Sequence, residues 1–117
     1  MSKNVTDYGK EMFYLINSTI NGHVCMHENE AGLLAKAVRM AGNGDHLEIG
    51  SMWGGSAILA ALIKRKYRLT GNVICVDPFR DSDCSPGFPS EKPNESVFWE
   101  NMKQAGVQDK IELRTRY

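Results

Sequence analysis

Two short apolar runs, "HLEIG" at 46–50 and "NVICVDPF" at 72–79, flank a single amphipathic stretch that opens in glycines. This alternation constrains the fold more than any other feature of the chain. Each run is shorter than an ordinary helix and meets a breaker, Gly50 in the first and Pro78 in the second, so both read as strands, the first as a buried one. Between them Ile58, Leu59, Leu62 and Ile63 recur at helical steps from Ser56 to about Arg68. Lys64, Arg65, Lys66 and Arg68 crowd the last turns, where cations suit the helix dipole, and Gly71 can end the helix. Strands joined through a helix lie parallel, with a right-handed crossover.

The rest of the chain extends the pattern. Val5, Tyr8, Met12, Leu15 and Ile16 form a helical stripe over 5–20, closed by the turn-rich "NSTING". A second helix is predicted over 28–41, with Leu33, Leu34, Ala37, Val38 and Ala41 on its inner side, and "GNGD" breaks it. Residues 80–94 hold three prolines and no periodicity, so they read as a loop, either a lid or an exposed connection. Asn94 can cap a helix whose inner face is Val97, Phe98, Met102 and Ala105 and which Gly106 ends, and "KIELRT" alternates as a strand near a sheet edge. The expectation is an α/β fold, a Rossmann-like three-layer αβα arrangement around a parallel sheet that stops after its third strand. Residues 1–44 form a helical lead-in and 45–117 a βαβαβ unit of one domain.

In such a sheet, ligands sit beyond the carboxyl ends of the strands. "EIGSMWGGS" at 48–56 occupies that place, between the first strand and its crossover helix. Gly50 permits a tight turn and a close backbone approach by a ligand. Gly54 and Gly55 can do the same at the helix start, where free N–H groups point outward and Ser56 offers a hydroxyl. Dinucleotide loops read GxGxxG and aim their amides at a pyrophosphate. Here the spacing is GxxxG, with Glu48 two residues ahead of Gly50. A carboxylate there repels a pyrophosphate and suits an ammonium or a sulfonium. Asp77, ending the second strand, is placed to accept both hydroxyls of a ribose.

These residues describe a site for S-adenosylmethionine. "HLEIGSMWGGSAILAAL" followed by "GNVICVDPF" resembles the amino-terminal half of a class I S-adenosylmethionine-dependent methyltransferase, and most of all the small-molecule O-methyltransferase branches, whose first motif reads ExGxxxGxS. The likeness spans roughly residues 28–115 as a pattern of elements and is specific only from Glu48 to Ser56 and at Asp77. It implies that Glu48, Gly50, Ser51, Gly54 and Gly55 form the cofactor loop, that Met52 lies along the cofactor, and that Ser56 holds the methionine carboxylate. It further implies that Asp77 binds the ribose and that Pro78, with Phe79, lines the adenine side. The implied reaction is methyl transfer to a hydroxyl of a small molecule or sugar. A divalent metal belongs to one branch of the resembling families, but its ligands and the proton-removing groups come there from the fourth strand onward. The chain is therefore expected to be a cofactor-binding half, lacking catalytic residues, with a partner copy or further chain covering the open edge of the sheet.

Plainer readings compete at each position. Gly54 and Gly55 can serve close packing, Ser56 can be a helix cap, and Asp77 before Pro78 can open a turn. Trp53 stays open among covering the ligand, lining the acceptor pocket and packing. "HVCMHENE" at 23–30 fits no usual zinc spacing and reads as the start of a helix, with Glu28 and Glu30 at the positive end of the dipole. His46 reads as a structural neighbour of the first strand and Cys75 as a core residue.

Composition removes other classes. Fourteen basic and fourteen acidic residues cancel, so no field of one sign argues for nucleic acid or an anionic membrane. The longest apolar run, Ala57 to Ile63, is far too short to span a bilayer, and the first residues lack the hydrophobic core of a secretory signal. Cys25, Cys75 and Cys84 are odd in number and form no CxxC pair, which fits reduced thiols in a cytoplasmic protein. Two other functions remain in play: a nicotinamide-dependent oxidoreductase, disfavoured by the glycine spacing, and a catalytically incomplete cofactor-binding or interaction module.

Overall fold

The computed structural model describes residues 4–79 and 94–116. The predicted loop or lid over 80–94 falls, apart from Asn94, outside the described residues, as does Cys84. Helix α1 covers Val5–Thr19 and α2 Glu28–Ala41; strand β1 covers His46–Ile49, α3 Gly55–Lys66, β2 Val73–Val76, α4 Glu95–Ala105 and β3 Ile111–Arg114. Local chemistry sets the boundaries. Asn4 accepts the Asp7 amide at 2.8 Å at the start of α1, and Asn94 accepts the Val97 amide at 2.9 Å at the start of α4. Gly106, at φ 71°, ends α4 in the left-handed conformation that glycine adopts without strain. His27 caps α2: its Nδ1 accepts the Asn29 amide at 3.2 Å while Glu30 reaches back to the His27 amide at 3.3 Å.

The strands form one parallel sheet in the order β1-β2-β3. His46 stands opposite Val73 and Val73 opposite Ile111, so alternate residues share a face across all three strands. Both crossovers step in the same direction along the sheet, and right-handedness therefore puts α3 and α4 on the same side. That side buries Val73, Cys75 and Ile111 against the helices. The fold is α/β and Rossmann-like, with a parallel sheet flanked by helices.

Two sequence expectations change. "HLEIG" is not a buried strand among the described residues, because Leu47 and Ile49 lie on the other face, 61% and 69% exposed. Its partners Ile74 and Val76 on that face are half-buried, and Glu112 and Arg114 are exposed. The apolar side of α2 is rotated from the predicted stripe: Ala31, Gly32, Ala35 and Val38 are buried, whereas Leu33 is 64% exposed. The cause is a close crossing with α1. A Cβ on Gly9 would come within 2.5 Å of the Ala35 Cβ, so the small residues of both helices meet and the leucine turns outward. Lys64 stands in the last turn of α3 as its position predicts, but it is buried, its ammonium donating to the carbonyls of Gly44 at 2.6 Å and Thr70 at 3.1 Å. It ties together the two turns that lead into β1 and β2, at the end of the sheet opposite the glycine loop.

Candidate functional site

The ladder continues one step past β1, where the Gly50 amide donates to the Val76 carbonyl at 2.8 Å, and the chain then leaves the sheet. Gly50 sits at φ 80°, a conformation costly for any residue with a side chain, and a Cβ built there meets nothing within 4 Å. Among the described residues the space above it is open. Gly54 also has a positive φ, 90°, but its missing Cβ would strike Met102 and Phe98 of α4. On Gly55 it would strike Val24 in the connection between α1 and α2. Close packing therefore accounts for Gly54 and Gly55, and open approach for Gly50.

Glu48 projects from β1 on the helix-covered face. Ser56 donates its hydroxyl to Glu48 Oε2 at 2.8 Å, while Glu48 Oε1 is buried without a hydrogen-bond partner among the described residues. Burial raises the Glu48 pKa above the ordinary carboxylate value, the Ser56 and Ser51 hydroxyls oppose that shift, and the charge of Asp77 adds to it. Ser51 Oγ lies near enough to favour the charged form, yet it completes no hydrogen bond of normal geometry. The same surroundings push the Cys75 thiol up to about 12, first through burial and then through Glu48, so Cys75 is an inert core residue.

Asp77, at the end of β2, is buried and already engaged. Its Oδ2 accepts the Met52 amide and its Oδ1 the Phe79 amide, both at 2.8 Å. The first bond holds Met52 at φ 49°, a left-handed conformation that costs a methionine on the order of 1 kcal/mol or more. Asp77 is thus a latch between β2 and the glycine loop. Each carboxylate oxygen has a second lone pair beyond the bond it accepts.

Trp53 is 1% exposed and packs beneath the connection between α1 and α2, its ring 6.3 Å from that of His23. Of its three sequence-level roles, packing is the one observed. The connection closes a small cavity of about 120 Å³, with His23 and Cys25 on one side and Gly50, Ser51, Met52, Trp53, Gly55 and Ser56 on the other. No side chain caps the start of α3 at this cavity. Pro78 stands half-buried beyond Asp77, and Phe79 packs on Phe98 with ring centroids 5.8 Å apart. The structure thus brings Glu48, Gly50, Ser51, Met52, Gly55, Ser56 and Asp77 into one neighbourhood. His23 and Cys25 join it from a segment that carries no sequence signal for the purpose. A larger cavity of about 500 Å³ among α1, α3 and α4 shares none of these residues; its lining mixes apolar side chains such as Met12, Ile16 and Leu62 with Arg65, Lys66 and Gln104.

Among the described residues no group of three or more His, Cys, Asp or Glu side chains is placed to hold a metal ion, and no helix is long and apolar enough to cross a membrane. No family model matches the chain, and no curated protein matches it. A solved structure does. The chain is similar to the crystal structure of a "putative O-methyltransferase" from Klebsiella pneumoniae, at 23% identity and a TM-score of 0.52 over 97% of this chain. The chain spans 44% of the length of that protein. The likeness is one of fold.

Proposed function

We propose that this chain supplies the cofactor-binding part of an S-adenosylmethionine-dependent methyltransferase that acts on a hydroxyl of a small molecule or sugar. The observation that carries the reading is the Glu48 carboxylate, buried at the end of a parallel strand with Oε1 unpartnered, beside the open space over Gly50. A buried, half-paired carboxylate is costly without a cation, and an amino-acid ammonium or a sulfonium provides one. The uncapped start of α3 offers backbone N–H groups to a carboxylate, and the second acceptor directions of Asp77 suit ribose hydroxyls. A pyrophosphate would meet the repulsion of Glu48, which disfavours a nicotinamide dinucleotide.

The cofactor would supply an electrophilic methyl group on a sulfonium. This chain's residues orient it: Glu48 toward the cationic end, the Gly50 backbone beneath it, Met52 along it, and Asp77 with Pro78 toward the nucleoside. Ser56 cannot donate one proton to Glu48 and to a ligand carboxylate at once, so its part here is to hold Glu48 ready. The acceptor, the group that removes its proton and any divalent metal of that step lie outside the residues assigned to this site. A cytoplasmic setting fits the proposal.

Calorimetric titration with S-adenosylhomocysteine and, separately, with NAD tests the assignment. Binding of the former and none of the latter is expected; a preference for NAD would overturn it. Measured methyl transfer, or its absence, then separates an enzyme from a cofactor-binding module.

A further inference from the structure

The connection between α1 and α2 has no regular secondary structure, yet it is held as firmly as an element. The Val24 amide donates to Asn17 Oδ1 at 2.7 Å, and Val24 itself is buried against Gly55. The decisive fastening comes from α4. Asn101 is completely buried and uses three hydrogen bonds at once: its Oδ1 accepts the Asn21 amide at 2.8 Å, and its Nδ2 donates to the Asn21 carbonyl at 2.9 Å and to the Trp53 carbonyl at 2.8 Å. One side chain, some eighty positions further along the chain, thereby clasps both walls of the cavity that His23, Cys25 and the glycine loop enclose. Gly22, next to the clasp at φ 88°, is pressed so close to the Trp53 ring that a Cβ would overlap it at 2.2 Å.

We propose that Asn101 is a positioning residue for the ligand site, fixing the distance between the α1–α2 connection and the glycine loop. The proposal rests on the cofactor reading above, because it assigns the clasped cavity to that ligand. A buried carboxamide suits this task. Its two N–H donors and one carbonyl acceptor match three backbone groups that would otherwise be stranded without partners. Asp77 grips the same loop from the sheet side through Met52, so the loop is pinned at Met52 by β2 and at Trp53 by α4. Just ahead of these pins in the chain, Glu48 Oε1 and Ser51 Oγ complete no hydrogen bond among the described residues. Rigid support with unsatisfied groups beside it is the arrangement expected of a preorganised site.

The test compares four versions of the 117-residue chain by S-adenosylhomocysteine calorimetry, each well below its own melting temperature. They are the wild type, Asn101→Ala, Gly22→Ala, and a core control, Val107→Ala. Val107 is buried just before β3, at the end of the strands away from the loop. Asn101→Ala and Gly22→Ala should each raise Kd by about tenfold or more, as losses of supporting contacts around a bound group do, while Val107→Ala loses thermal stability and keeps its Kd within about twofold. Gly22→Ala decides alone if Asn101→Ala does not fold, since it displaces the connection without emptying a buried polar site. A wild type that binds alongside Asn101→Ala or Gly22→Ala variants that bind equally well would overturn the positioning role and leave the cofactor reading standing. A wild type that fails to bind would overturn both.

Discussion

Gly50 and Gly54 lie four residues apart in one loop and owe their identity to opposite circumstances. Among the described residues there is open space above Gly50, and Glu48 Oε1 and Ser51 Oγ nearby complete no hydrogen bond of normal geometry. Around Gly54 there is no such space: Met102 and Phe98 fill the volume a Cβ would take. One end of the loop is finished as a core is finished, and the other is left incomplete. A glycine motif therefore mixes two demands, and only the surroundings of each position tell them apart. The incomplete end is where a ligand has something to contribute.

Substitutions at the two ends should separate stability from binding. The largest stability effect is expected for Gly54→Ala, where backbone strain and overpacking against α4 together cost about 2–4 kcal/mol, read as a lower urea midpoint. A midpoint equal to the wild type would mean that Gly54 is not a packing residue. Asp77→Ala strands two amides and should cost about 2–3 kcal/mol of stability while also weakening S-adenosylhomocysteine binding. Loss of stability with unchanged affinity would confine Asp77 to its latch role. Gly50→Ala should cost only about 1 kcal/mol through its backbone conformation, yet impair binding more than its stability loss predicts. Glu48→Gln should go the other way, raising the melting temperature of the ligand-free protein by a few degrees while lowering its affinity. A destabilised Glu48→Gln variant would contradict the view that this charge is held at a cost.

The smallest effects are in pH. The Glu48 pKa is raised on folding, so the folded protein holds that proton more tightly than the unfolded chain does. The resulting stabilisation is full below the ordinary value of 4.5 and is lost as pH rises through the folded value. His46 is shifted downward by burial and then by the charge of Lys64, so its contribution is present at neutral pH and lost as pH falls below the ordinary 6.5. Melting temperatures followed from pH 7 to pH 5 should decline less in His46→Gln than in the wild type; parallel slopes would remove His46 from the account.

Much of this was legible in the sequence because the signals are local. Asn94 and Gly106 bound their helix by contacts within a few residues, and Gly50 and Asp77 stood out as the residues at which the chain leaves its first two strands. What escaped depended on partners far along the chain. Asn101 reads as an ordinary polar residue of an amphipathic helix until its contacts with Asn21 and Trp53 are seen. Lys64 resembles its exposed neighbours Arg65 and Lys66, and only the converging carbonyls of Gly44 and Thr70 explain its burial. The inner face of α2 was misjudged because Gly9, Gly32 and Ala35 outweigh Leu33 when two helices can approach closely. His27 in "HVCMHENE", by contrast, acts locally, its ring nitrogen engaged as a helix cap.

The central claim is that Glu48 is a buried carboxylate left half-paired for a cation. Carbon-detected NMR titration of the Glu48 carboxyl group, with and without S-adenosylmethionine, tests it most directly. The account predicts titration above the ordinary carboxylate range in the free protein and a marked fall when the ligand is present. Titration at the ordinary value, indifferent to the ligand, would contradict it.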